Sequence, residues 1–432
     1  MRTKSSAAGH LLLAMFLIAV MLAAGCGSSG IQIVGQKADT VNLRFIGYKV
    51  GKSKVEEIDT ILNRYMEENE DVVIVYEGIA ENYVDIMSDR LQSGRAGDLF
   101  MIGDQAVSTY AANGWYGTKI ADLSGEEFVR QYSPMIRKMI TLDGQVPAVP
   151  MCLSTVGMLG NMDVLSACGI DRMPDTFNEW VRDMETVQEY GFTPMVNYQG
   201  NAASLSFLMA GRSVAAYVEG VKTYDEGVTA AEVFSRGITD IYGLIEAGLI
   251  DRAQFAGETE ARAYQTVLGE EFASGGVAFA VAPSWTLTAF QSGEPEFEYR
   301  YAGLPVGDAG PLAGVRASVL VAVNNEGEHR KEAAAFLDFL MQPEHIERYA
   351  AAQTSLSPLA GAKTDDPLLA QPLALIEAGR IFSDTDARIP FNLLKLLNEA
   401  TLQMADGEPL EQILTGFAVS VRETMSSNAA NR

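Results

Sequence analysis

Between residues 41 and 104 the sequence alternates strand and helix signals in the order βαβαβ, which commits this part of the chain to a sheet whose strands are joined through helices. "VNLRFIGY" (residues 41–48) reads as a strand. Ser53 and Glu56 have capping-box spacing, and Val55, Ile58, Ile61, Leu62, Tyr65 and Met66 then recur on one helical face. "VVIVYEG" is a continuous apolar strand, residues 83–91 form a second amphipathic helix, and "DLFMIGD" (residues 98–104) is a third strand. Strands that are apolar throughout are buried on both faces, so the sheet is parallel or mixed with helices covering both sides. Ligands of such sheets sit beyond the carboxyl ends of the strands, here the loops at residues 47–52 and 103–107.

A chain of 432 residues that is 48% hydrophobic can bury two cores. In "SGGVAFAVAPSW" (residues 274–285) a buried-strand run stops at Pro283 and puts one of only three tryptophans, Trp285, just past its end. The richest Gly/Pro stretch, residues 291–314, is a long connection followed at once by the apolar strand "ASVLVAV", so it joins parts of one body. No period of 20 to 50 residues suggests a solenoid or propeller.

At the N-terminus, Arg2 and Lys4 precede an apolar stretch (residues 11–24) too short to span a bilayer, which reads as a secretory signal. "LAAGC" ends it and resembles the lipobox of bacterial lipoproteins, with Ala23 where that pattern usually has leucine. The resemblance implies that residues 1–25 are removed, that Cys26 becomes a lipidated (palmitate-bearing) first residue, and that residues 26–40 are a flexible tether. Loss of Arg2 and Lys4 leaves 30 basic against 56 acidic residues, a formal charge of −26. That surface repels phosphate backbones and anionic headgroups, so no nucleic-acid partner is expected and membrane attachment rests on the lipid alone. Cys152 and Cys168 are too few for a disulfide framework, and either one bridge or two buried thiols fits them. His329 and His345, both in the helical "EHRKEAAAFLDFLMQPEHIERY", offer little for a nucleophile triad or a metal centre; no cofactor or metal is expected.

The stretch "DGQVPAVPMCLSTVGMLGNMDVLSACGIDRMPDTFNEW" (residues 143–180) resembles the central signature of extracellular solute-binding proteins of ABC importers, the sugar-binding, maltose-binding type. Its marks are Gly144, Val149 with Pro150, Asn161, "LSACGI", and Pro174, Thr176, Phe177 and Glu179. Thr176 and Glu179 also form a capping box, and Gly191 is a helix stop. Three further stretches match in order: "EEFASGGVAFAVAPSW", with Ser284 where glycine is common; the run from "YRYAGLPVG" through "AAAFLDFLMQPE"; and "NEATLQMADGEPLEQILTGFAVSVRE".

The resemblance implies an α/β, two-lobed periplasmic-binding-protein fold of type II, each lobe a mixed or parallel sheet flanked by helices, with a hinged cleft between them. Lobe 1 is then residues 41–152 and 318–355, and lobe 2 is residues 153–317 and 356–432. The crossovers fall near residues 152–155 and 317–320, and the C-terminal helices cover lobe 2. The function implied is a membrane-anchored, monomeric receptor that captures a sugar or other solute and delivers it to ABC permease transmembrane subunits, without catalysis. A two-carboxylate glycosidase, a sensor or adhesin, and a receptor for a non-sugar solute stand as alternatives.

By correspondence with the family, Trp285 stacks on a sugar face, or else caps the lobe 2 core. Asp104 and Gln105 bind hydroxyls or cap a turn, and Tyr48 and Lys49 stand in the first loop. Ser154 lies at the first crossover, with Asn197, Tyr198, Gln199 and Asn201 in a polar loop. Arg316, at the second crossover, bonds ligand or pairs with an acidic neighbour. Trp115 is expected to pack locally, and Trp180 to sit on a helix.

Overall fold

The computed structural model describes residues 40–51, 54–103, 106–198, 204–222, 231–255, 264–384, 389 and 391–430. Strand β1 (Val41–Gly47) pairs in parallel with β2 (Val72–Gly78) and β3 (Leu99–Ile102). Helix α1 (Glu56–Glu68) joins β1 to β2 and buries Ile58, Ile61, Leu62 and Tyr65, the face read from the sequence; α2 (Tyr83–Gln92) precedes β3. The start of α1 differs from expectation. Val55 is its N-cap, no side chain caps it, and Ser53 lies outside the described residues.

Strand β4 (Val149–Asn161) is buried along all 13 residues and acts as the spine. It runs antiparallel to β6 (Val277–Pro283), to β7 (Tyr299–Ala302) and, over its first half, to β8 (Ala313–Val323). With β5 (Thr193–Val196) beside β6, the order is β2-β1-β3-β8-β4-β6-β5, a mixed open sheet; β7 branches from β4, and β9 (Ile381–Phe382) branches from β8. Strand β7 lies inside the stretch read from sequence as a plain connection, so that reading is corrected.

One hydrogen-bonded sheet therefore runs through the described chain, with β8 between β3 and β4. Strand β8 pairs with β3 over Leu320 to Val323 and with β4 over Gly314 to Val321, with Cys152 opposite Ser318 and Ser154 opposite Arg316. Where the β4–β8 register skips, between Ser318 and Leu320, Val319 takes φ +53°, a left-handed conformation that β-branched residues seldom enter and that costs about 1–3 kcal/mol.

Two apolar clusters lie on this frame. One is built on β1 to β3, with α7 (Arg330–Leu340) and α8 (Pro343–Ala352): Phe336 of α7 packs edge-on against Phe45 and Tyr65. The other gathers α3 (Phe177–Glu189), α4 (Ser204–Val218), α5 (Ala231–Glu246) and the C-terminal α9 (Leu393–Ala405) and α10 (Leu410–Ala430), with Phe234 meeting Phe391 and Phe417. Helix α3 starts as read. The Thr176 side chain accepts from the Glu179 amide, Glu179 in turn accepts from the Asp175 amide, and Gly191 at φ +85° follows its C-cap. Trp180 is fully buried in this cluster, and Trp115 packs on Tyr110. Cys152 and Cys168 are both buried thiols, not joined in a disulfide.

Candidate functional site

The crossover of β4 and β8 brings polar side chains onto one face of an apolar ladder. Alternation along β8 puts Arg316 and Ser318 on the same side, and the Ser318 hydroxyl donates to Ser154 Oγ at 3.1 Å. The Arg316 guanidinium donates through Nε to both oxygens of Asp384 (3.0 Å each) and through Nη2 to Oδ2 (2.7 Å), while it lies 4.9 Å over the Phe207 ring. Asp384 reaches it because β9, two residues earlier, pairs in parallel with the start of β8. Their side chains are 15% and 3% exposed, so the pair is largely desolvated and fixed in direction.

Trp285 is fastened to the same crossover. Strand β6 ends with Pro283 opposite Val156, and the buried Ser284 hydroxyl accepts from the Thr155 amide at 3.2 Å. The Thr286 hydroxyl closes the turn by donating to the Pro283 carbonyl. The indole is 43% exposed and meets Tyr264 edge-on, with centroids 4.5 Å apart. A core cap would be covered, whereas this ring presents surface.

At the end of β1, Tyr48 packs edge-on to Tyr83, and Lys49 Nζ donates to Gln353 Oε1 at 3.0 Å. The Tyr76 hydroxyl donates to the Lys49 carbonyl; burial pushes the Tyr76 phenol well above its ordinary pKa, so it stays a donor. Asn197 and Tyr198, the described residues of the polar loop after β5, face inward. Asn197 is fully buried, donating to Gln254 and accepting from Ser204, and so braces the chain between β5 and α4. Tyr198 is 4% exposed, and its buried hydroxyl makes no hydrogen bond to the described residues.

Residues 60–375 match the family described as bacterial extracellular solute-binding protein. The chain belongs to that family. No curated protein matches it in sequence. Among solved structures, this solute-binding protein superposes on the MsmE binding protein of Bacillus subtilis in an open conformation (TM-score 0.73, 16% identity, 91% of this chain and 100% of that one). It also superposes on the sugar-binding protein MalE of Xanthomonas citri (0.70, 14%, 90% and 98%). RafE of Streptococcus pneumoniae in its apo form is similar (0.69, 17%, 90% and 100%), as is RafE in complex with raffinose (0.65, 18%, 88% and 100%). At these identities the likeness is one of fold.

In this solute-binding protein the pairing of β4 with β8 sets Ser154 opposite Arg316, Trp285 follows the end of β6 next to Ser284, which bonds the Thr155 amide, and Tyr48 and Lys49 stand at the end of β1. Asp104, Gln105, Gln199, Asn201 and Cys26 lie outside the described residues. Three partners were missed by sequence reasoning: Asp384, Tyr264 and Gln353. The alternative that Arg316 pairs with an acidic neighbour pointed toward Asp384, but nothing in the sequence singled out that carboxylate among 56. Among the described residues no group of three or more His, Cys, Asp or Glu could hold a metal, and no helix is long and apolar enough to cross a membrane.

Proposed function

We propose that this protein is a lipid-anchored extracytoplasmic receptor that captures a sugar or oligosaccharide between two hinged lobes and hands it, chemically unchanged, to the transmembrane subunits of an ABC importer. The observation that carries this reading is the half-exposed Trp285 ring at the end of β6, where the neighbouring Ser284 accepts from the Thr155 amide, one residue along β4 from Ser154. An aromatic face covers the C–H side of a pyranose, and convergent donors and acceptors take its hydroxyls. The sugar-binding MalE and the raffinose-bound RafE support the same ligand class.

The lobes are residues 41–152 with 318–355, and 153–317 with 356–432, turning about the β4–β8 crossover. Tyr48, Lys49, Asp104 and Gln105 approach the ligand from the first lobe; Trp285, Ser154, Arg316, Tyr198 and Gln199 approach it from the second and from the crossover. Asn197 acts on the site by holding Tyr198 and its loop. A ligand touching both lobes favours the closed arrangement, and the permease reads that population shift. The monomer is tethered through lipidated Cys26, so Cys26→Ala releases it from the membrane fraction. A thermal-shift panel of mono- and oligosaccharides, amino acids, polyamines and metal ions tests the ligand class. Stabilisation by saccharides supports it; hits confined to the other classes, or turnover of the saccharide, contradict it.

A further inference from the structure

Helix α8 ends in a turn that obeys every backbone rule of its type and breaks the rule for its side chain. Gln353 is the C-cap; the amide of Thr354 bonds to the carbonyl of Ala351 at 3.1 Å, and that of Ser355 to the carbonyl of Ala350 at 3.0 Å. This pair of bonds is the Schellman motif, and it requires a left-handed residue directly after the C-cap, a place normally given to glycine. Elsewhere this chain complies: Gly94, Gly191, Gly248, Gly379 and Gly407 occupy that place after their helices, all at positive φ. After α8 the residue is Thr354, β-branched, at φ +47°.

The hydroxyl supplies the reason. Thr354 Oγ1 lies 2.7 Å from Thr288 Oγ1, in hydrogen-bond contact. Thr288 sits in the first turn of helix α6 (Leu287–Ser292), three residues after Trp285. One residue earlier, Gln353 accepts from Lys49, at the end of β1. Two residues later, Leu356 pairs with Leu153 of β4 through both backbone bonds (2.8 and 2.9 Å). The two residues Gln353 and Thr354 therefore tie the loop that carries Lys49 to the helix that follows Trp285, next to the bridge between Leu356 and Leu153 of β4.

We propose that Gln353 and Thr354 form a clasp that positions Trp285 relative to Lys49, and that Thr354 is kept in a strained conformation because only a hydroxyl there holds α6. Thr354 is a positioning residue acting through Trp285. Its role in binding rests on the reading of Trp285 as a ligand platform, whereas the clasp itself is measurable without any ligand.

The experiment is hydrogen exchange on the purified ligand-free protein, read by mass spectrometry on peptides covering residues 284–292 and 353–358, with melting temperature and acrylamide quenching of tryptophan emission alongside. Thr354→Gly relieves the strain, so its melting temperature is equal to or above wild type, yet exchange in 284–292 speeds up several-fold. Quenching also rises, because Trp285 is more exposed than the buried Trp180 and the half-buried Trp115. Thr288→Val speeds exchange in 353–358 by a similar factor, the double variant is no faster than either single one, and Thr354→Ser, which keeps the hydroxyl, stays near wild type in 284–292. Acceleration confined to each variant's own segment, a Thr354→Ser variant as fast as Thr354→Gly, or a lowered melting temperature in Thr354→Gly overturns the proposal. A failure of every saccharide to bind overturns the proposed function and leaves these exchange results standing.

Discussion

Replacing Asp384 by alanine leaves the Arg316 guanidinium in a site where its side chain is only 15% exposed, stripped of three hydrogen bonds of 2.7 to 3.0 Å. Removing one partner of a buried ion pair costs about 3–5 kcal/mol, because the surviving charge stays desolvated. Arg316 keeps some water contact and its place over Phe207, so the lower end applies, about 3 kcal/mol. With an unfolding entropy of about 2.1 cal/mol/K per residue over a body of roughly 390 residues, that lowers the melting temperature by about 4 °C. The double variant Arg316→Met, Asp384→Leu exchanges the pair for apolar groups of similar volume. It returns to within about 1 kcal/mol of wild type, while saccharide binding is weakened by the loss of the Arg316 guanidinium. Calorimetry of the three proteins checks both statements. An Asp384→Ala variant melting within 1 °C of wild type would show the pair to be screened by solvent and refute its role in fixing Arg316.

Trp285→Ala is expected to weaken saccharide affinity by 10-fold or more, the value of about 1.4 kcal/mol or more for an aromatic platform, with little loss of stability because the ring is 43% exposed; titration calorimetry reads it. Asp183 has its carboxyl pushed up to about 6 by burial, with Glu179 adding to the shift. Its folded pKa is raised, so the native state binds the proton more readily than the unfolded chain, and this group stabilises the fold as pH falls from about 6 to 4. Asp183→Asn therefore raises the melting temperature at pH 7 and flattens the dependence in that window. Cys152 and Cys168 are buried thiols outside any disulfide, so neither reacts with iodoacetamide in the native protein and both react without reductant in guanidinium; a disulfide would leave both unmodified.

Strands β1, β2 and β6 were legible because each is an apolar run bounded by turn residues; β6 is buried along its whole length, whereas β2 is the edge strand and leaves Val75 exposed. Trp285 stood out for a local reason as well, a large aromatic directly past a strand-ending proline. Strand β7 was hidden because "YRYA" is four residues long with a charge in it, and only the far half of β4 makes it a strand. The start of α1 was misread because capping-box spacing outranked a valine whose β conformation alone ends the extended segment. Asp384 and Gln353 escaped for a different reason. Their partners lie 68 and 304 residues away, and no periodicity encodes a contact made by chain topology. The clasp at Thr354 was disguised further, since a helix stop is sought by its glycine and here the glycine is missing.

The central claim is capture of an unchanged saccharide by closure about the β4–β8 crossover. Small-angle X-ray scattering of the wild-type protein, with and without saturating amounts of the most stabilising saccharide, tests it, with the sugar recovered afterwards and weighed by mass spectrometry. Capture by closure gives a smaller radius of gyration on saturation and a sugar of unaltered mass; an unchanged scattering curve at saturation, or a cleaved sugar, contradicts it.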